Sequence, residues 1–134
     1  MPVSNTWRGH GSAIFLELGK IRLDPGGGHP HGQASFMIEW SWRVEGPRSI
    51  QLGSWSTERR ITSGVARLKG LRVREVSVVG RLPELSVGLS GGRWVHSFMT
   101  ERGLPAWTIF LPDGSWICVE RGTVIHNRQN VGRH

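Results

Sequence analysis

Two histidines, His29 and His31, have the spacing most suggestive of metal chemistry in this sequence, with one proline between them in a run of glycines and prolines. Alternate histidines on a turn can direct their ring nitrogens at one transition-metal ion. A metal centre needs further protein ligands. A carboxylate four or five residues after His31 could supply one, but Ser35 and Phe36 occupy those positions. We therefore interpret 24–32 as an exposed, flexible loop, and keep the two histidines as candidate ligands for a metal-dependent small-molecule enzyme.

Other residue patterns typical of catalysis are missing from the sequence. The candidate serines, Ser54, Ser97 and Ser115, lack the strand, turn and helix pattern that exposes a nucleophile, and no glycine pair leads into the Lys and Ser or Thr of a phosphate loop. Cys118 lies two residues after Trp116 in an apolar stretch, which is typical of a packed, inert thiol. The sequence thus predicts a protein that is not an enzyme, with no catalytic residue and no cofactor.

Basic residues outnumber acidic ones, with 17 Lys and Arg against 10 Asp and Glu and a net charge of +7. A candidate basic patch lies within 59–74 and consists of Arg59, Arg60, Arg67, Lys69, Arg72 and Arg74. The arginine guanidinium matches the geometry of carboxylate and phosphate groups. The patch predicts contact with an acidic protein surface or nonspecific contact with nucleic acid, although a GC-rich genome would also enrich arginine without any binding role.

Seven tryptophans and no tyrosine make up an unusual aromatic set. Trp40 and Trp42 lie in the cleanly alternating stretch 36–44, where they share one strand face with three other apolar residues. This pattern predicts that both belong to the core, rather than to a stacking platform for bases or sugars. Trp7 and Trp55 lie in less regular surroundings and are the candidate exposed aromatics.

The elements that position these residues are mostly short strands separated by glycine turns, in a chain predicted to form a single domain over 1–134. We predict an α+β fold that is mainly antiparallel β: a meander of hairpins forming a curved sheet, or a small roll or barrel, with one helix at about 57–69. Ser56 or Thr57 would cap that helix and Gly70 would end it. The predicted strands are 12–18, 20–23, 36–44, 49–55, 72–79 with a bulge, 85–89 with 94–98, and 107–111 with 116–120. A loose tail is predicted at 127–134.

The second half of the chain resembles a group of small bacterial domains of unknown function. The resemblance covers 68–120 and rests on Leu68-x-Gly70-x-x-Val73, then a Glu84-led strand with Gly92, and finally Leu111-Pro-Asp-Gly-Ser-Trp116. Some members of that group sit beside polymorphic toxins and are suspected immunity proteins. The resemblance implies no catalytic or binding residues.

These observations favour a non-enzymatic protein that works by association with another protein of acidic surface, such as an immunity-type or accessory protein. The alternative is a nonspecific nucleic-acid binder that uses the 59–74 region. A lone cysteine and the lack of any apolar leader or membrane span predict a soluble, cytoplasmic protein without a membrane partner. Strand edges left open by a meander would also suit a homodimer.

Overall fold

The computed structural model describes residues 1–23, 25–100 and 106–128. The described residues form one helix, α1 (Glu58–Ala66), and eleven strands: β1 (Val3–Arg8), β2 (Ile14–Leu18), β3 (Ala34–Ile38), β4 (Trp42–Glu45), β5 (Ile50–Gly53), β6 (Val73–Val79), β7 (Glu84–Leu89), β8 (Arg93–Ser97), β9 (Trp107–Phe110), β10 (Trp116–Glu120) and β11 (Thr123–Asn127). The predicted mainly antiparallel fold with one helix is confirmed.

The strands form two antiparallel sheets rather than a closed barrel. The six-stranded sheet has the order β1-β2-β3-β9-β10-β11, and the five-stranded sheet has the order β5-β4-β8-β7-β6. One core joins both sheets and the helix, and its largest fully buried side chain is Trp107. The indole N–H of Trp107 donates to the carbonyl of Pro83 at 3.0 Å, so this buried donor is paired and links the two sheets.

The predicted strand 36–44 is wrong as one strand, because the chain turns a corner inside it. Residues up to Ile38 belong to the six-stranded sheet, and those from Trp42 onward belong to the five-stranded sheet. Trp40 lies at the corner with φ of +64° and is 62% exposed, so its predicted place in the core is also wrong. Ser12 stabilises the corner: its hydroxyl donates to the Trp40 carbonyl at 2.6 Å, and its own carbonyl accepts from Trp42 Nε1 at 2.7 Å.

The glycine-turn hairpins form as predicted, but they lie in different sheets. β7 pairs with β8 in one sheet, and β9 pairs with β10 in the other. The bulge predicted in the 72–79 strand is also present, as a shift of register between Val73 and Glu75.

The helix is shorter than the predicted 57–69. Its N-cap is Thr57, whose hydroxyl accepts from the Arg60 N–H at 3.3 Å, as the sequence indicated. After Ala66 the backbone tightens into turns, in which Leu68 and Lys69 donate to the carbonyls three residues earlier. The chain therefore leaves the helix before Gly70, which has φ of +95°.

The strands near both ends of the chain differ from those that the sequence predicted. β1 and β11 were not predicted, and 20–23 contains only an isolated bridge, from Arg22 to His31. β11 ends at Asn127, the first residue of the predicted tail, and 129–134 lie outside the described residues.

No helix in the described part of the chain has the length and apolar composition that crossing a lipid bilayer would need.

Candidate functional site

A polar groove lies between α1 and the turn that joins β7 to β8. Its floor is apolar and includes Val44 and Leu52, from β4 and β5, together with Leu68 from the turns that follow the helix. Its walls contain Arg60 and Arg67 from the helical side, and Arg93 at the start of β8. The remaining lining residues are Gln51, Ser63, Gly64, Leu71, Ser90 and Gly91. We call this depression, of about 510 Å³, the arginine groove.

Local structure explains why the three arginines converge. Arg60 and Arg67 are seven residues apart, about two helical turns, so they lie along one side of the helix. Arg60 Nη2 donates to the Gln51 carbonyl at 3.1 Å, and Arg93 Nη1 donates to the Gly91 carbonyl at 3.2 Å. Because a guanidinium has five N–H donors, each of these two groups retains donors for a ligand.

The charge of the groove is not balanced by its own lining. The twelve described residues that line the groove include three arginines and no carboxylate. Glu58, the acidic residue in the first turn of α1, is engaged elsewhere in an ion pair with Arg8 of β1, at 2.5 Å between Nη1 and Oε2. The hydrogen bond from Arg8, and then its charge, hold the pKa of Glu58 below its usual value. The groove is therefore a net positive site with room for an anionic partner.

The structure brings together only part of the predicted basic patch. Arg60 and Arg67 line the groove, whereas Arg59, Lys69, Arg72 and Arg74 are exposed and do not line it. Arg72 comes nearest through its backbone, whose N–H donates to Oγ of the groove residue Ser90 at 2.9 Å. Sequence reasoning missed Arg93, because it belongs to a hairpin that is distant in sequence, and only the tertiary fold places it in the same groove as Arg60 and Arg67.

The two candidate exposed aromatics differ in their surroundings. Trp55 is 93% exposed and lies two residues before Thr57, the helix N-cap. Trp7 departs from the expected exposure: it is half-buried on β1, stacked on Phe15 with 3.7 Å between ring centroids. Its other face stacks on His29 at 4.1 Å.

The histidine pair does not form a metal centre with other described residues. His29 packs on Trp7, and the His31 backbone pairs with Arg22 in both directions, at 2.7 and 2.9 Å. Within residues 1–23, 25–100 and 106–128, no three His, Cys, Asp or Glu side chains come close enough to hold an ion together. The histidine loop thus covers part of the six-stranded sheet, and its geometry gives the metal-enzyme hypothesis no support.

Cys118 occupies a packed position on β10. Its side chain is buried, with 2% of the residue exposed. Burial, and then the charge of Glu120, raise the pKa of the thiol, while a hydrogen bond from Asn127 opposes this rise. A raised pKa reduces the thiolate population that nucleophilic chemistry requires.

Comparisons with known proteins provide no second source of evidence for the site. No family model, curated protein or solved structure matches this chain. The resemblance over 68–120 to small bacterial domains stays a prediction.

Proposed function

We propose that the protein is a non-enzymatic association module whose arginine groove binds an acidic segment of another protein, as an accessory or immunity-type protein would. The observation that supports this proposal is the convergence of Arg60, Arg67 and Arg93, from two separate parts of the fold, with no carboxylate among the described residues of the lining. Arginine forks are well suited to hold carboxylates by paired hydrogen bonds.

The apolar floor of the groove favours a protein segment over a bare phosphate backbone. Val44, Leu52 and Leu68 at the floor are already buried, so the apolar lining residue that a partner can reach is the half-buried Leu71. A segment that alternates acidic and apolar side chains could place carboxylates on the guanidinium groups while an apolar side chain covers the floor. Arginine beside an apolar centre is also typical of the residues that dominate protein interfaces.

Single-stranded nucleic acid is the second candidate partner, and one observation favours it. Trp55 is 93% exposed, and the exposed Arg59 follows four residues later. An exposed indole can stack on a base while neighbouring arginines contact phosphates. On this hypothesis Trp55 and the wider 59–74 region would determine affinity, rather than the groove.

The two candidates can be separated with three fluorescently labelled probes of known composition. The probes are an eight-residue peptide of alternating Glu and Leu, an eight-residue oligo-Glu peptide, and a twelve-nucleotide oligo-dT. Anisotropy titrations at ~50 and ~200 mM salt report the affinity and its salt dependence for each probe. We expect the Glu/Leu peptide to bind most tightly, because it alone can satisfy both the arginines and the apolar floor.

Variants with matched charge locate the binding site. The test protein is Arg60→Gln/Arg67→Gln/Arg93→Gln, and the control removes three positive charges from other exposed positions, in Arg81→Gln/Arg121→Gln/Arg128→Gln. Since a hydrogen bond to a charged group contributes ~1.5 to 3 kcal/mol, loss of the three arginines should weaken Glu/Leu binding by at least ~100-fold. The control should change affinity by less than about fivefold.

Other outcomes would assign the function differently. Tightest binding of oligo-dT, with loss of affinity in Trp55→Ala, would favour the nucleic-acid hypothesis. An equal effect of the test and control variants would mean that net charge alone attracts the peptide and would contradict a role for the groove.

A further inference from the structure

A second cavity lies on the other sheet, on the face of the six-stranded sheet that points away from the core. It occupies about 790 Å³ and is bordered by the β2–β3 connection on one side and by the β9–β10 turn on the other. Its apolar walls include Phe15 and Phe110, and its polar lining includes Glu17, Lys20 and Arg22. This volume lies within the range of drug-sized ligand sites. We call it the aromatic pocket.

Glu17 is the most unusual residue of the aromatic pocket, because a carboxylate in the middle of a strand is only 1% exposed. Its Oε1 accepts hydrogen bonds from the Gly32 N–H, at 3.0 Å, and from the Ser35 hydroxyl. Its Oε2 accepts from Trp7 Nε1 at 2.8 Å. A carboxylate oxygen can accept two hydrogen bonds, and Oε2 has no second donor among the described residues. The pocket therefore offers a buried acceptor with one remaining place.

The described residues of the β2–β3 connection, 19–23 and 25–33, cover this carboxylate. Arg22 and His31 pair through their backbones, and the Gln33 N–H donates to the Leu18 carbonyl at 2.7 Å, which closes the connection at its base. Farther out, the His29 ring stacks on Trp7. Since Gly32 also donates to Glu17, the connection is attached both to the sheet and to the lining of the pocket.

The charges in the pocket select the sign of a ligand. Among the described residues of the lining, the exposed Lys20 and Arg22 carry two positive charges, against the single negative charge of Glu17. A cation would meet net repulsion at these positions, whereas an anionic group could contact Lys20 and Arg22 from the solvent side. The aromatic walls would then surround an apolar ring, and Oε2 of Glu17 would accept a hydrogen bond from an N–H or O–H on that ring.

We propose that the aromatic pocket binds a small organic anion that has a ring-containing apolar body and one hydrogen-bond donor. This site lies on a different sheet from the arginine groove, so the proposal does not depend on the function proposed for the groove.

Three related ligands test the proposal on the full-length, ¹⁵N-labelled protein. Indole-3-acetate has the ring, the anion and the N–H donor; tryptophol lacks the charge, and 1-methylindole-3-acetate lacks the donor. The Trp7 Nε1–H resonance, assigned with Trp7→Phe, reports directly on the hydrogen bond to Glu17. We expect saturable shifts of this resonance with indole-3-acetate. Tryptophol should bind about fivefold more weakly, and the methylated ligand about tenfold more weakly.

Exposed positions supply variants that should leave the fold intact. Lys20→Gln/Arg22→Gln should weaken indole-3-acetate binding about fivefold and leave tryptophol binding unchanged, because only the anion contacts those cations. Arg81→Gln/Arg121→Gln is the control with the same loss of charge.

A second variant pair tests the apolar wall. Phe110→Ala should weaken binding of all three ligands. Phe98→Ala is its control, because Phe98 is exposed to a similar extent, 44% against 39% for Phe110, but follows β8 of the other sheet.

Any of three results would overturn the proposal. The first is an unshifted Trp7 resonance at millimolar indole-3-acetate in a folded protein, and the second is equal affinity for tryptophol and indole-3-acetate. The third is an equal effect of the charge variant and its control on indole-3-acetate binding. The groove variant Arg60→Gln/Arg67→Gln/Arg93→Gln should bind indole-3-acetate with unchanged affinity. A loss of binding in that protein would place the ligand in the groove and would also contradict the proposal.

Discussion

Replacing Glu17 tests whether its buried carboxylate organises the outer face of the six-stranded sheet. We expect Glu17→Gln to destabilise the protein, although the side chain keeps its size. Both carboxylate oxygens accept from a backbone or indole N–H, Oε1 from Gly32 and Oε2 from Trp7. A glutamine amide has one acceptor oxygen. In either orientation, one of these two N–H donors would therefore face an NH₂ group.

The magnitude follows from the number of donors left without a partner. An unpaired buried donor costs ~1 to 3 kcal/mol, so Glu17→Gln should lower the free energy of unfolding by about 2 kcal/mol. Glu17→Leu leaves three donors unpaired, including the Ser35 hydroxyl. Since Trp7 and Gly32 are half-buried and partly reachable by water, we expect about 4 kcal/mol rather than the full sum. The exposed Glu75→Gln is the control and should change stability by less than about 0.5 kcal/mol.

Urea denaturation followed by circular dichroism measures these differences, and a double-mutant cycle separates the indole contact. Trp7→Phe keeps a ring that can stack but removes the N–H, so Glu17→Gln in that background should cost about 1 to 2 kcal/mol less than in the native chain. A Glu17→Leu protein as stable as the native one would refute this reasoning. An additive cycle would also refute it, because it would show that Glu17 and Trp7 do not interact.

Further predictions concern Trp40, Asp113 and Cys118. Because Trp40 has φ of +64°, Trp40→Gly should be more stable than Trp40→Ala by about 1 kcal/mol in urea denaturation, the reverse of the order at an ordinary position. Side-chain and backbone hydrogen bonds from Ser115 lower the pKa of Asp113, so its NMR titration midpoint should lie below that of an aspartate without such hydrogen bonds. This contribution to stability is present above the unfolded pKa and is lost as pH falls through the lowered native pKa, so Asp113→Asn should flatten the acid side of the stability curve. Because burial raises its pKa, Cys118 should react with a thiol reagent at pH 8 at least ~10-fold more slowly in the native protein than in urea; equal rates would contradict its packed position.

Local patterns in the sequence were sufficient to predict the hairpins and the start of the helix. A glycine turn between apolar strands determines a hairpin within about a dozen residues, as in β7 and β8. Thr57 was recognisable as a helix cap for the same reason, since capping depends on residues three positions apart. The seven-residue spacing of Arg60 and Arg67 is likewise a local feature, because residues about two helical turns apart lie on one side of a helix.

The corner at Trp40 shows why alternation alone misled the prediction. Strands β3 and β4 belong to different sheets, but both face the same core, so the apolar alternation continues through the turn between them. Tryptophan is not a residue that typically adopts a positive φ, and no glycine or proline marks the corner. The hydrogen bonds of Ser12, nearly thirty residues earlier, fix that conformation, and a local pattern cannot reveal them.

The residues of the two proposed sites that the sequence did not reveal depend on contacts between distant segments. Glu17 has the position of a solvent-facing residue on an alternating strand, and it becomes buried because the β2–β3 connection covers it. Arg93 lines the groove because the fold brings the start of β8 to the same depression as the helical residues Arg60 and Arg67. Charge counts predicted an acidic partner, whereas the location of the groove required the tertiary fold.

The most direct test of the proposed association role is an NMR titration of the full-length protein with the alternating Glu/Leu peptide. The reporters are the arginine side-chain Nε–H resonances, assigned by single Arg→Gln variants. The groove geometry predicts that Arg60, Arg67 and Arg93 shift together on one binding curve, while the exposed Arg81 does not shift. Shifts that spread evenly over all arginines, or that spare these three, would contradict the proposal that the groove is the binding site.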